Sequence, residues 1–382
     1  MSSLDAWREA SKVLCVRLDT IGDILMTTPA MRALNESSLG RSLTLLTSTA
    51  GSAIAPLVPD VDAVITYDAP WMKSTGPHAD SAPEHALIQR LRRESFDAAV
   101  IFTVYSQSPL PAALLCHLAG IPLRLAHCHE NPYGLLSTWL PDPEPERLVR
   151  HEVRRQLDLV AAGGCFTADE RLSLRLPGGS VDRVRRVLRK HGVDVSRPWL
   201  LIHPGATAPS RRYPPESFAV VARLLAQDGG YQVLFTGTAL EHKLIASIQS
   251  QAAIFSFNPA GDVNPAGIFN LAGALHLGEL AALIAHAPVL ITNNTGPAHI
   301  AAAVGTPVVD IYALTNPQHV PWQVPHRVLS HDVPCKYCYK STCPEGHHHC
   351  LRLIRPARVV RATFSLLAET AASHGARRGV FA

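Results

Sequence analysis

The chain has 382 residues, a formal net charge of +4 and a composition 47% hydrophobic and 17% charged, which excludes extended disorder and exceeds what one hydrophobic core usually organises. The mild basicity is spread over several helices, so it argues against a nucleic-acid groove and suits anionic small molecules or an anionic membrane surface. The longest apolar stretches, 110–126 and 280–292, are broken by His117 and Arg124 and by His286 and Pro288, while 1–11 lacks the apolar centre of a secretory signal; a cytoplasmic protein with reduced thiols is expected.

In chain order, 12–18 reads as a strand, Asp19 to Asp23 as a glycine-bearing turn and 24–34 as a helix, the opening unit of a parallel sheet. Strands over 42–47, 63–67 and 98–103 alternate with helices near 51–58, 84–95 and 110–118. The proline-rich stretch 140–145 breaks regular structure before a helix over 151–162. A linker at 174–180 and a basic helix at 181–191 place a domain boundary between Leu174 and Pro198. The logic then repeats: strand 199–203, helix 215–227, strand 232–236, helices 240–249 and 277–286, strand 288–292, helix 297–304 and strand 308–312. The predicted fold is α/β, with two Rossmann-like doubly wound domains over 1–178 and 179–355 and a last helix, about 356–374, expected to pack back on the first domain.

Three places carry residues suited to chemistry. Asp23 follows Gly22 at the exit of the first strand, where a carboxylate can take a proton from an attacking hydroxyl or can cap the helix that begins there. After the first strand of the second half come His203-Pro204-Gly205-Ala206-Thr207 and then Arg211-Arg212. An Arg fork there suits a phosphate oxyanion, or equally a salt bridge to Glu216. Thr292-Asn293-Asn294-Thr295-Gly296-Pro297-Ala298-His299 ends a strand in small polar residues and opens a helix with proline in its first turn, so free N–H groups and the helix dipole make a diphosphate site. No Gly-Lys-Ser/Thr and no Gly-x-Gly-x-x-Gly occurs, which weakens ATPase and dinucleotide readings. His299 either touches substrate or packs on its Ala-rich helix, and Glu241 either accepts from a ribose hydroxyl or simply suits a helix start.

These segments together resemble glycosyltransferase family 9, the family of the ADP-heptose:lipopolysaccharide heptosyltransferases. The resemblance is carried by Val16-Arg17-Leu18-Asp19-Thr20-Ile21-Gly22-Asp23-Ile24-Leu25-Met26-Thr27-Thr28-Pro29-Ala30, by Phe96-Asp97, by Ala119-Gly120-Ile121-Pro122-Leu123-Arg124, by the His203 loop and by Asn293 through Ala303, in order over nearly the whole chain. It implies a GT-B fold whose two domains face an interdomain cleft, the first binding the acceptor and the second an ADP-sugar. By motif position it implies that Asp23 is the catalytic base, that Arg211 stands for a phosphate-binding Lys, that Thr295 and Gly296 contact the diphosphate and that Glu241 contacts the ribose, with Asn294 and His299 completing the donor set. Two departures bear on the donor rather than the fold: Asn294 stands where the lipopolysaccharide heptosyltransferases have Asp, and Arg211-Arg212-Tyr213-Pro214 replaces a Lys-x-Trp-Pro pattern.

The reaction so implied is inverting transfer of heptose from ADP-heptose to an acceptor hydroxyl without a catalytic metal, with the lipopolysaccharide inner core as the first expectation. Alternatives are a protein acceptor such as an autotransporter, a sugar-nucleotide-binding protein without catalysis, and a GT-B epimerase. Arg183, Arg185, Arg186 and Arg189 offer a basic face for peripheral contact with the inner membrane, and an oligomer is compatible with the chain. Cys335, Cys338, Cys343 and Cys350, spaced C-x2-C-x4-C-x6-C around His347-His348-His349, suit structural zinc or iron, or stand as reduced thiols. Cys15, Cys116, Cys128 and Cys165 lie in apolar stretches and read as core.

Overall fold

A computed structural model of the chain describes residues 3–73, 75–254 and 267–371, and these divide into two compact units, Met1–Arg175 and Leu176–Ala382. The first unit runs α1 (Ser3–Glu9), β1 (Lys12–Val16), α2 (Ile21–Glu36), β2 (Ser42–Thr47), α3 (Thr49–Ser52), β3 (Ala63–Thr66), α4 (Ala82–Glu94), β4 (Ala98–Ile101), α5 (Leu110–Leu118), β5 (Leu123–Cys128), β6 (Thr138–Pro141) and α6 (Glu152–Ala161). Its six strands are all parallel, in the order β3-β2-β1-β4-β5-β6. The central strands β1, β2 and β4 are buried without alternation because helices cover both faces of a parallel sheet. Leu14, Val16, Leu46, Ile65, Ala99 and Ile101 are buried in one cluster with Leu91, Phe96 and Ala113.

The second unit runs α7 (Ser180–Lys190), β7 (Trp199–His203), α8 (Pro215–Gln227), β8 (Gln232–Phe235), α9 (His242–Ile254), β9 (Ile268–Asn270), α10 (Leu277–His286), β10 (Leu290–Asn293), α11 (Gly296–Ala303), β11 (Val308–Ile311), β12 (His326–Leu329), α12 (His349–Arg352) and α13 (Pro356–Glu369). Its sheet, again parallel, has the order β12-β11-β10-β7-β8-β9. Both sheets therefore share one winding, with the order reversing between β1 and β4 in the first and between β7 and β10 in the second. Ligands of open α/β sheets bind outside the carboxyl ends of strands at such reversals.

Several expectations are corrected. The last helix, expected to pack back on the first domain, lies in the second unit: α13 packs on α8, β11 and β12, where Val359, Ala362 and Leu366 join the core around Phe218 and Phe235. Residues 372–374 of that expected helix lie outside the described residues. The helix read at 51–58 is the single turn α3 followed by a 3-10 turn, Ala55–Leu57, and the helix read at 240–249 is a 3-10 turn, Ala239–Glu241, leading into α9. The strands β5, β6, β9 and β12 and the helices α1 and α12 were not anticipated. The four cysteines read as core, Cys15, Cys116, Cys128 and Cys165, are free and buried. Among the described residues no helix is long and apolar enough to cross a membrane.

Candidate functional site

At the reversal point of the first sheet the chain leaves β1 through Arg17, whose guanidinium is fully buried. It makes ion pairs with Glu152 at 2.8 Å, Asp19 at 3.0 Å and Asp23 at 3.4 Å. Burial alone would weaken Arg17 as a base site for its proton, but Asp19, Glu152 and Asp23 more than offset it and hold the group charged. The helix α2 is capped by Thr20, and Asp23 is its third residue rather than its cap: the Thr20 N–H and hydroxyl donate to Asp23 Oδ2 at 3.1 and 2.8 Å. Asp23 is thus fixed by its helix and keeps a side chain 17% exposed.

Asp19 was passed over in the sequence, and the fold gives it a distinct environment. Burial lifts its carboxyl to about 6, with Arg17 opposing the rise and Asp23 adding to it. The Gln107 amide donates to Asp19 Oδ1 at 2.7 Å. Both residues line a cavity of about 400 Å³ together with Trp71, Lys73, Ser106 and Ser108, a set of hydroxyls, amide, carboxylate and indole that suits a polyhydroxylated ligand.

At the reversal point of the second sheet, the loops after β7 and β10 are tied by Asn293, which is fully buried; its amide donates to Pro204 O at 2.7 Å and accepts from the Tyr213 N–H at 3.1 Å. Glu241 sits beside the first of these loops. Its Oε2 accepts from the Thr238 N–H at 2.7 Å, and among the described residues Oε1 accepts no hydrogen bond. Two glycines make room for this carboxylate, since a Cβ on Gly205 would lie 1.7 Å from Oε1 and one on Gly237 would lie 2.9 Å from Oε2. Glu241 also faces buried His203, whose imidazole burial holds below its usual range against the pull of Glu241. Glu241, Pro204, Arg212, Tyr213 and Leu240 line a cavity of about 550 Å³.

The donor residues expected from the sequence fall into two groups. Glu241 lies in this cavity, whereas Asn294, Thr295 and Gly296 lead from the end of β10 into α11, and Arg211 is close enough to Asp310 for its charge to act on that carboxyl. Thr295 is the N-cap of α11, Gly296 its first residue and Pro297 its second, so the helix presents its N-terminal end at the strand exit. The Asn294 amide donates to His319 O at 2.8 Å and to Asp310 Oδ2 at 3.2 Å. Asp310, on β11 and fully buried, was not anticipated. Burial raises its carboxyl to about 7, opposed by the Asn294 hydrogen bond and by the charge of Arg211. Arg211 closes the turn Pro209–Arg211, and no ion pair joins it to Glu216 among the described residues. Arg212 instead donates to Ala206 O at 2.7 Å and Thr207 O at 3.2 Å, so its fork is occupied by the loop it leaves. His299 is buried on α11.

The thiols of Cys335, Cys338, Cys343 and Cys350 line one small cavity of about 20 Å³ with His347 and His348. Burial, and then the neighbouring thiols, raise Cys350 above the usual thiol range. Four sulfur donors around one void are a soft set that fits zinc or iron. Among the described residues, however, no three His, Cys, Asp or Glu side chains are gathered so as to hold an ion. The basic helix α7 is less open than its sequence suggests: Arg183 pairs with Glu279 at 3.0 Å and Arg185 with Asp182 at 3.3 Å, while Arg186 and Arg189 are exposed.

The profile of glycosyltransferase family 9 (heptosyltransferase) matches residues 84–349. The chain is 26% identical over 370 residues to lipopolysaccharide heptosyltransferase 2 of Escherichia coli, covering 94% of this chain and 99% of that protein. The solved structure of E. coli ADP-heptose lipopolysaccharide heptosyltransferase II superposes with a TM-score of 0.71 at 24% identity, over 94% of this chain and 99% of that one. The iron-containing dodecameric glycosyltransferase TibC of enterotoxigenic E. coli H10407 shares the fold at a TM-score of 0.52 and 16% identity, over 94% of this chain and 77% of that one. The architecture of two parallel six-stranded units is the GT-B fold of these enzymes.

Proposed function

The chain belongs to glycosyltransferase family 9, and from that premise we propose that it moves heptose from an ADP-heptose donor to a hydroxyl of the lipopolysaccharide inner core, with inversion at the anomeric carbon. The names of its full-length relatives support both donor and acceptor. The observation that carries the reading is the second unit's reversal point, where a carboxylate with an open oxygen, Glu241, shares a nucleotide-sized cavity with the loop that Asn293 ties to the start of α11. A ribose hydroxyl would donate to Glu241 Oε1. The diphosphate would rest against the N–H groups of α11 and the fork of Arg211, which stabilise charge as ADP departs, so no metal need take part in the step.

In the first unit Asp23 receives the acceptor's proton. Its Oδ2 is held by Thr20 and its Oδ1 lies toward Arg17, which fixes the carboxylate's direction. The cavity around Asp19, Gln107 and Trp71 takes the acceptor sugar. Asp23→Ala is expected to reduce transfer by about 10²–10⁴-fold, the range for removal of a general base, with ADP affinity unchanged. Transfer at the wild-type rate would remove Asp23 from that role.

Cys335, Cys338, Cys343 and Cys350 would, once drawn together, hold one zinc or iron ion in a structural capacity, which would supply no chemistry to the transfer. Elemental analysis of protein purified without chelator should find about one such ion per chain, and a metal-free, fully folded protein would refute the assignment. Arg186 and Arg189 of α7 bring the enzyme to anionic lipid at the cytoplasmic face of the inner membrane. Sedimentation with anionic vesicles should fall as salt rises, and should be weaker for the Arg186→Ala, Arg189→Ala double variant; salt-independent sedimentation would contradict this.

A further inference from the structure

The cysteine loop is built into the donor side of the second unit. It is anchored to the end of β11 by the Tyr337 N–H, which donates to Leu314 O at 2.6 Å, and by the Tyr339 N–H, which donates to Thr315 O at 2.8 Å. It then reaches the Pro209–Arg211 turn. Ser210, 3% exposed, donates from its N–H to Ser341 O at 3.0 Å and from its hydroxyl to Lys340 O at 2.8 Å. Ser210 also borders the void lined by the four thiols. The residue immediately after it is Arg211, so two hydrogen bonds from the loop fix the turn that aims Arg211.

On the loop's far side, the chain enters α12 through His348, which lines both the four-thiol void and the 550 Å³ cavity that holds Glu241. One turn on, Arg352 lines the same cavity. The two guanidinium groups there differ. Arg212 is bonded to Ala206 O and Thr207 O, whereas Arg352 makes no ion pair and no side-chain hydrogen bond among the described residues. Besides the polar Glu216, Glu241 and His348, the cavity has an apolar lining from Pro204, Pro209, Pro214, Tyr213, Leu240 and Leu244 that suits a flat ring. A planar guanidinium over such a lining stacks on a base face.

We propose that the cysteine loop and α12 form a wall of the nucleotide site, in which Arg352 contacts the purine base and Ser210 is a positioning residue for Arg211. The inference rests on the ADP-donor reading above. It separates two effects by the part of the nucleotide each one touches. Loss of Arg352 should weaken any ligand that carries the base, and loss of Ser210 should weaken only ligands that carry the diphosphate.

Calorimetric titration of the full chain with ADP and with adenosine tests both arms on the wild type, Arg352→Ala, Ser210→Ala and Ser210→Thr. Arg352→Ala should bind both ligands about tenfold more weakly, the size of a desolvated cation–π contact. Ser210→Ala should bind ADP more weakly and adenosine as the wild type does, and Ser210→Thr, which keeps the hydroxyl, should recover ADP binding. If wild type binds ADP and all variants match it, or if Ser210→Ala loses both ligands alike with a lowered melting temperature, the wall is structural only and the inference fails while the donor reading stands. If wild type binds neither ligand, the donor reading fails and takes the inference with it.

Discussion

Asp310 is the residue whose chemistry departs furthest from its sequence context, an acid in the middle of an apolar strand. One oxygen accepts from Asn294, while Oδ1 is buried without a hydrogen-bond partner. Burial raises its carboxyl from the ordinary 3.8 to about 7. The unfolded chain therefore gives up this proton at lower pH than the folded chain does. The stability it contributes is present below about pH 4 and is lost as pH rises through about 7. The melting temperature of the wild type should thus fall, relative to Asp310→Asn, between pH 4 and pH 8, and parallel pH curves for the two would contradict the account. Arg17 behaves in the opposite sense, being buried and charged among Asp19, Asp23 and Glu152. Arg17→Met leaves those carboxylates without their cation and should cost about 3–5 kcal/mol in denaturant unfolding, whereas a change below about 1 kcal/mol would mean that the cluster is solvated. Asp23, Glu241, Thr295 and Gly296 stood out in the sequence as candidates because each belongs to a local motif at a strand exit. Asp19, Asn293, Asp310, Ser210 and Arg352 could not, because each acquires its surroundings from segments distant in the chain, such as Gln107 for Asp19 and Lys340 for Ser210.

Among the elements, the central strands β1, β4, β7, β8, β10 and β11 follow from largely apolar runs, because both faces of a parallel sheet are covered. Of the unanticipated strands, β6, β9 and β12 are edge strands of three or four residues, while β5 is an interior strand of six whose apolar run is broken by Arg124 and His127. β6 alternates between half-buried and exposed and carries Pro141, which an edge tolerates and a centre does not, so its sequence reads as a loop. α1 is only seven residues long and is held by Trp7, whose indole donates to Thr138 of that same edge strand. The loop after β7 shows how an element positions a functional group without touching substrate. Gly205→Ala places a methyl where Glu241 Oε1 now lies, so the carboxylate must swing away. ADP affinity should fall by about tenfold, the worth of a hydrogen bond to a charged group. Gly192→Ala, where nothing lies within 4 Å but φ is +73°, should cost stability and leave ADP affinity intact. Unchanged ADP binding in Gly205→Ala would remove Glu241 from the donor site.

For the whole molecule, the two units have the same winding and each carries a cavity near its own point of strand-order reversal, the first of about 400 Å³ beside buried carboxylates, the second of about 550 Å³ with a helix start nearby. The two-domain α/β architecture was readable from the βα alternation, but the allegiance of α13 was not, because an amphipathic helix records that it packs and not on what. Its Leu366 is fully buried in the second unit's core. Leu366→Ala should cost about 2–5 kcal/mol, and hydrogen exchange should show the lost protection in β7 and β11 rather than in β1 or β4. Protection lost in the first unit instead would overturn the assignment.

The account is tested most directly by mass spectrometry of heptose-deficient lipopolysaccharide incubated with the enzyme and ADP-heptose. The predicted result is a glycolipid heavier by one heptose residue, formed with stoichiometric release of ADP and lost in Asp23→Ala. A lipid of unchanged mass, with the heptose found on a protein or with the donor merely isomerised, would contradict it.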